Sequence, residues 1–156
     1  RRCQALIQPP DLTATILELI GAKNLDSLQG RSLLPLLREE NAAWRDFAVT
    51  SPSIIHGPVS GQRITVTTKE WALICRGQVE EALAKNPGRR TNFSRLEDLA
   101  GKVENELYNL SEDPKQEKNV FDEERDTAEQ LHSTLVEFLK KVGTKEELLR
   151  YWKRLQ

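Results

Sequence analysis

The chain has 156 residues, 38% hydrophobic and 30% charged, with a formal net charge of −1. That suits one domain, or the smaller part of a larger one, with a modest core. The balanced charge lacks the basic footprint of a nucleic-acid binder, and no apolar run reaches the length of a membrane span, so neither nucleic acid nor membrane is an expected partner. No Met occurs and no signal peptide opens the chain, which is therefore expected to be a fragment. Cys3 and Cys75 are too few and too far apart for a disulfide scaffold or a zinc site.

Leu6 and Ile7 suggest the end of a strand, and Pro9-Pro10 bars a helix from running in upstream. Asp11 then has the character of an N-cap. Leu12, Ile16, Leu19 and Ile20 fall on one face of a packing helix that Gly21 ends. Gly30 to Leu37 reads as a Gly turn, a Ser32 cap and a short apolar helix with Pro35 in its first turn. Trp44 to Thr50 reads as a strand. Ser51 to Gly61 is a Ser-, Pro- and Gly-rich loop carrying His56, whose plainest reading is an exposed loop side chain.

Arg63 to Thr68 alternates polar and apolar residues, and Trp71 to Cys75 is a second β-rich run, with Lys69-Glu70 placed for a tight hairpin. Between Arg76 and Val103 the sequence predicts a short helix at 78–85, then a capping box at Ser94 to Glu97 opening another. Arg89, Arg90, Arg95 and Lys102 make this stretch locally basic. The acids Glu80, Glu81, Glu97 and Asp98 favour a solvated loop over contact with a polyanion such as a sulfated glycan.

Glu106 to Leu110 alternates as a further strand and leads into an acidic turn closed by Pro114. Phe121 is placed to pack on the sheet. A helix over 127–142, starting around Asp126 with Glu129 at N3, carries Leu131, Leu135, Phe138, Leu139 and Val142 on its core face and stops at Gly143. His132 on this charged helix reads as a surface residue. Thr144 to Glu147 is a second capping box, opening a last helix with Leu148, Leu149, Trp152 and Leu155 on one side.

The run Glu106-Leu107-Tyr108-Asn109-Leu110-Ser111-Glu112-Asp113-Pro114 resembles the E-L-Y-D-L-x-x-D-P signature near the C-terminus of sulfatases. Gly30-Arg31-Ser32-Leu33-Leu34-Pro35-Leu36-Leu37 resembles that family's G-R-S-L-x-P-L-L almost letter for letter. Asp11 to Ala22 is similar to its D-x-x-P-T-x-L-x-L-x-G segment, with Ala14 where the family often has Pro. The hairpin is similar to V-R-T-x-x-W/Y-K-L-I, with Thr67 in place of the common Arg and Ala72 in place of the common Lys. The likeness runs from Asp11 to Val142, leaving 76–103 as an unmatched insertion.

This resemblance implies an α+β fold: a small antiparallel sheet of about four strands packed by a long C-terminal helix. Helical segments before it would belong to the edge of a missing α/β catalytic domain. The expected divisions are 1–43 for the end of that catalytic domain, 44–143 for the C-terminal subdomain with its 76–103 insertion, and 144–156 for a helical extension. The resemblance also implies sulfate-ester hydrolysis in an exported full-length parent, using calcium and a formylglycine. The missing N-terminal catalytic domain and a sulfated substrate are the implied partners, and His56 is the candidate for the rim of the substrate cleft.

None of that catalytic chemistry is present in the chain. Neither Cys3 nor Cys75 opens a C/S-x-P-x-R motif, and no Asp-rich loop offers calcium ligands. There is no G-x-S-x-G elbow, phosphate loop, H-E-x-x-H or paired C-x-x-C, and only two His residues occur. The expectation is a chain with no catalytic residue, metal site or cofactor of its own. Two alternatives stay open: the tail of a related phosphonate or phosphodiester hydrolase, and a stand-alone non-catalytic binding module.

Overall fold

The computed structural model describes residues 3–22, 28–38, 44–51, 63–77 and 104–155. His56 and the short helices expected at 78–85 and 94–101 lie outside these residues. The chain forms two compact units, Arg1–Ala48 and Val49–Gln156.

In the first unit, α1 (Pro9–Leu19) is followed by the single turn α2 (Leu34–Leu37). The helix begins three residues earlier than the sequence suggests. Gln8 is the N-cap, the two prolines fill the first turn where no N–H is needed, and Asp11 sits at N3. From there its carboxylate accepts the Gln8 N–H at 2.7 Å, so Asp11 closes the helix start from inside rather than capping it from outside. Gly21 ends the helix with φ +71°. The Gly21 N–H donates to the Glu18 carbonyl and the Ala22 N–H to that of Leu17, the paired bonds of a Schellman stop.

The apolar stripe of α1 does not form this unit's interior. Asp11, Ala14 and Thr15 are the buried positions of the helix. Leu12, Ile16, Leu19 and Ile20, expected to pack, are between 53% and 72% exposed. The spacing of that stripe was informative, but the face it defines is exposed rather than packed.

The described strands form one four-stranded sheet in the order β1 (Ala48–Thr50), β2 (Arg63–Thr67), β3 (Trp71–Arg76), β4 (Glu106–Asn109), all of it but Ala48 within the second unit. Strands β2 and β3 pair antiparallel, Thr67 opposite Ala72, through a connection in which the Thr68 N–H donates to the Trp71 carbonyl at 2.8 Å. Strand β4 runs antiparallel to β3, with Leu73 opposite Leu107. Alternation puts Ile64 and Val66 on the buried face of β2, while β3, interior to the sheet, also buries Ala72 on its other side.

Helix α3 (Arg125–Lys141) packs across β2 and β3. It covers the sheet with Ala128, Leu131, Leu135 and Leu139, spaced at three and four residues. Phe138 and Val142, counted in that stripe from sequence, are only half-buried. Gly143, at φ +77°, stops α3 with the same Schellman pair of bonds, from Gly143 to Lys140 and Thr144 to Leu139.

The C-terminal segment differs from expectation in two ways. Helix α4 (Glu146–Leu149) is one turn long, its N-cap is Lys145, and no side chain caps it, so the box read at Thr144 does not form. A 3₁₀ turn at Arg150–Trp152 follows and buries Tyr151 and Trp152 together. That turn also buries His132, which the sequence placed at the surface: the His132 Nε2 lies 2.8 Å from the Trp152 carbonyl oxygen. Desolvation lowers its pKa, with Arg125 adding to the shift against the opposing Trp152 hydrogen bond and Glu129. The ring is therefore neutral near pH 7 and donates its Nε2–H to that carbonyl.

Candidate functional site

Three separated sequence segments meet at Asp11. Its side chain is fully buried, yet every lone-pair direction is used. One oxygen accepts the Arg31 N–H at 2.8 Å and an Arg45 Nη2–H at 2.7 Å; the other accepts the Gln8 N–H and the second Arg45 donor. This is the bidentate arrangement that a guanidinium fork suits. Burial pushes the Asp11 carboxyl up, but the Arg45 hydrogen bonds and the two backbone N–H groups outweigh it and hold its pKa below the usual value. Arg45 also stacks 5.2 Å from the Trp44 ring, and the Trp44 Nε1–H donates to the Leu6 carbonyl at 2.7 Å.

The same node explains the glycine of the G-R-S run. A Cβ on Gly30 would lie 2.1 Å from the Pro10 carbonyl oxygen and 2.8 Å from the Asp11 nitrogen, so the chain passes too close to the start of α1 for any side chain. Thr15 finishes the join. Its hydroxyl donates to the Asp11 carbonyl at 2.6 Å and accepts the Leu33 N–H at 2.8 Å. The two family-like segments of this unit thus meet Arg45 at a structural ion pair, and sequence alone could not link Asp11 to a partner 34 positions away.

The E-L-Y-N-L-x-x-D-P run is equally structural. Glu106 accepts from Arg63 at 2.7 Å with one oxygen and from the Tyr108 hydroxyl at 2.8 Å with the other. Asn109 Oδ1 accepts the Ser111 N–H at 3.1 Å, and an Asp113 oxygen accepts the Lys118 N–H at 2.8 Å, which winds the turn after β4. Asn119 holds the far end: its Oδ1 accepts the Leu107 and Phe121 N–H groups, and its Nδ2 donates to the Asn105 carbonyl. Asn105 in turn accepts the Arg76 N–H at 2.7 Å. Neither Asn105 nor Asn119 stood out in the sequence, where an Asn in a polar loop carries no signal of its partner.

Around this join lies an open cleft of about 340 Å³, where β3 ends and β4 begins. Arg76 and Arg125 line it together with the acids Glu104 and Asp122, over a floor of Phe121 and the two asparagines. Arg125 lies 4.7 Å from the Phe121 ring centre and 3.2 Å from a Glu129 oxygen. Its described lining offers charge of both signs and hydrogen bonding, which suits a polar group.

The cysteines do not fit a formylglycine. Burial pushes the Cys75 thiol up to about 12, which keeps it protonated, and Cys3 is exposed outside any C/S-x-P-x-R context. Among the described residues no group of three His, Cys, Asp or Glu side chains could hold a metal ion, so they do not fit the calcium site either. No helix among them is long and apolar enough to cross a membrane.

No protein-family model matches the sequence, and no curated protein matches it. Solved structures do. BT4656, in complex with its substrate D-glucosamine-2-N,6-O-disulfate, matches 92% of this chain at a TM-score of 0.60 and 20% identity. A Bacteroides thetaiotaomicron VPI-5482 protein provisionally described as a sulfatase matches 94% at a TM-score of 0.60 and 17% identity. A third, BT33494S-sulf, from a Bacteroides thetaiotaomicron locus for glycosaminoglycan metabolism, matches 99% at 0.62 and 22%. The chain spans only 25%, 26% and 32% of those proteins' own lengths. It has the fold of the small α+β C-terminal region of sulfatases.

Proposed function

We propose that this chain is the C-terminal part of a sulfatase-like hydrolase, that it packs on a catalytic α/β domain, and that it contributes to the rim of the substrate cleft without being catalytic itself. The observation that carries this reading is a fold match over nearly the whole chain that spans only about a quarter to a third of each neighbour, joined to the placement of the family-like motifs. Those motifs fall where they are needed to build the fold: G-R-S beside Asp11, where Arg45 completes the ion pair, and E-L-Y-N-L-x-x-D-P around the end of β4. A sulfated saccharide is the substrate class that the doubly sulfated glucosamine bound by BT4656 favours. His56 is retained as the candidate cleft residue.

In such an enzyme a calcium ion offsets charge on the sulfate and a formylglycine supplies the nucleophile. The described residues of this chain do not fit either group, and the part proposed for them is to bind and shape. The test is to assay the native gene product that includes these residues against N- and O-sulfated glucosamine, a phosphodiester and a phosphonate monoester. Sulfate release from the glucosamine, with none from the 156-residue chain alone, is the expected result. Turnover of the phosphorus esters instead would transfer the assignment to the related hydrolases, and activity of the isolated chain would overturn it.

A further inference from the structure

The polar cleft between the end of β3 and the start of α3 has a tied base. Asn105, itself buried, accepts the Arg76 N–H at 2.7 Å. Asn119 donates to the Asn105 carbonyl and holds the Leu107 and Phe121 N–H groups. These bonds fix the backbone on both sides of the opening. Arg125 is pinned from two directions, by the Phe121 ring at 4.7 Å and by Glu129, which accepts its Nε–H at 3.2 Å.

The charges in the cleft do not cancel by contact. Glu104 and Asp122 line it together with Arg125, yet among the described residues neither acid has a hydrogen-bond or ion-pair partner, and the Arg125 Nη groups have no acceptor. Donors and acceptors of opposite sign thus share an opening of about 340 Å³ without closing it. That volume is at the small end of clefts that hold small molecules, roughly 300–1,000 Å³.

We propose that this cleft binds a single uncharged sugar ring through its hydroxyl groups. A hydroxyl both donates and accepts, so one held between a guanidinium and a carboxylate satisfies the two at once. Simpler ligands meet like charge. A sulfate or phosphate would lie against two carboxylates, and a metal ion against two guanidinium groups. The formal charges of Arg76, Arg125, Glu104 and Asp122 balance, which matches a neutral ligand. The cleft lies wholly within Val49–Gln156, and its lining alone selects the ligand, so the assignment does not depend on the hydrolase reading.

Saturation-transfer NMR on the native gene product tests this, with methyl β-D-glucopyranoside, methyl β-D-glucuronide and glycine as probes. The neutral glucoside is expected to bind. Asp122→Ala and Arg125→Lys are each expected to weaken it at least about tenfold, because both remove a hydrogen bond to a charged group. Arg125→Lys keeps the charge and loses the planar fork, so unchanged affinity there would overturn the proposal. Glu123→Ala, beside the cleft but paired with Lys118, is expected to change nothing; an equal loss there would also overturn it. So would absent binding of the glucoside, or variant-sensitive binding of the glucuronide or glycine in its place, which would make this an anion or zwitterion site. Variant-sensitive glucoside binding in a protein that hydrolyses no sulfate ester would leave the cleft assignment standing and remove the functional reading; hydrolysis without such binding would do the reverse.

Discussion

Among the described residues, the large fully buried side chains of Val49–Gln156 are Ile64, Val66, Leu73, Cys75, Leu107, Leu135 and Leu139, whereas in Arg1–Ala48 the most deeply buried side chain is the carboxylate of Asp11. The first is ordinary core packing, in which a helix and a sheet each hide an apolar face in the other. The second is a unit held at its centre by a charge-assisted network; among its described residues only Ala14, Leu34 and Ala48 are buried apolar ones, and Ile7, Leu12, Ile16, Leu19, Ile20 and Leu37 are exposed. A buried ion pair fixes geometry well but adds little net stability, because desolvation offsets much of the Coulombic gain. The comparison thus separates a part held by an apolar core from a part held by a polar centre with an aliphatic helix face exposed.

The largest effect that would sharpen this contrast is expected from Asp11→Ala. It strands the Arg45 guanidinium, only 12% exposed, and the Arg31 and Gln8 N–H groups, and removing one partner of a buried pair costs about 3–5 kcal/mol. Amide exchange should accelerate in α1 and around Arg31 while α3 is unaffected. Leu135→Ala should do the converse in the other unit, at about 2–5 kcal/mol for a fully buried Leu, with exchange accelerating in α3 and β3. If either variant loosened both units equally, the division of labour would be wrong.

Gly30→Ala comes next. Its Cβ would press on backbone atoms of Pro10 and Asp11, which cannot swing aside as a side chain would, and overpacking of this kind costs about 1–3 kcal/mol. The expected reading is a lower denaturation midpoint with the loss of protection confined to the first unit. Gly21→Ala is the informative control, because nothing lies within 4 Å of its added Cβ and only the φ of +71° opposes it.

The smallest effect is the order in which acid loosens the two units. The pKa of His132 is lowered in the fold, so the unfolded chain takes up the proton first and stability falls as the pH drops below about 6.5, the unperturbed His value. That loss belongs to the contact between α3 and the 3₁₀ turn, and His132→Gln should remove most of this pH dependence. The pKa of Asp11 is also lowered, but for an acid this means its contribution is complete above about 3.9 and is lost only as the pH falls through that value and below. Exchange measured from pH 7 down to 3 should therefore show the C-terminal segment loosening before α1. Simultaneous loosening would mean that the two titrations do not act locally.

Much of the fold was written in local pattern. Period-two alternation gave β2, β3 and β4 nearly to the residue, the three-and-four spacing of Leu131, Leu135 and Leu139 gave the core face of α3, and Gly21 and Gly143 marked both Schellman stops. These features are legible because each depends on neighbours a few positions away. The motifs were legible too, but as likeness rather than as mechanism: nothing in G-R-S or E-L-Y states that its glycine clears a backbone or that its glutamate ties an arginine from another strand.

What tertiary structure alone decided were the partners of polar groups and the sides of helices. Asp11 moved from a cap to a buried node because Arg45 and Arg31 arrive from far along the chain. His132 moved from surface to interior because the 3₁₀ turn at Arg150–Trp152 folds back over α3. The apolar stripe of α1 was read correctly as a stripe, yet periodicity reports only that a face is apolar, never which surface covers it. By itself the sequence determined which side chains must leave water. Only the assembled fold decided that in one unit they already have, and that in the other a polar centre holds the helix while its aliphatic face is still exposed.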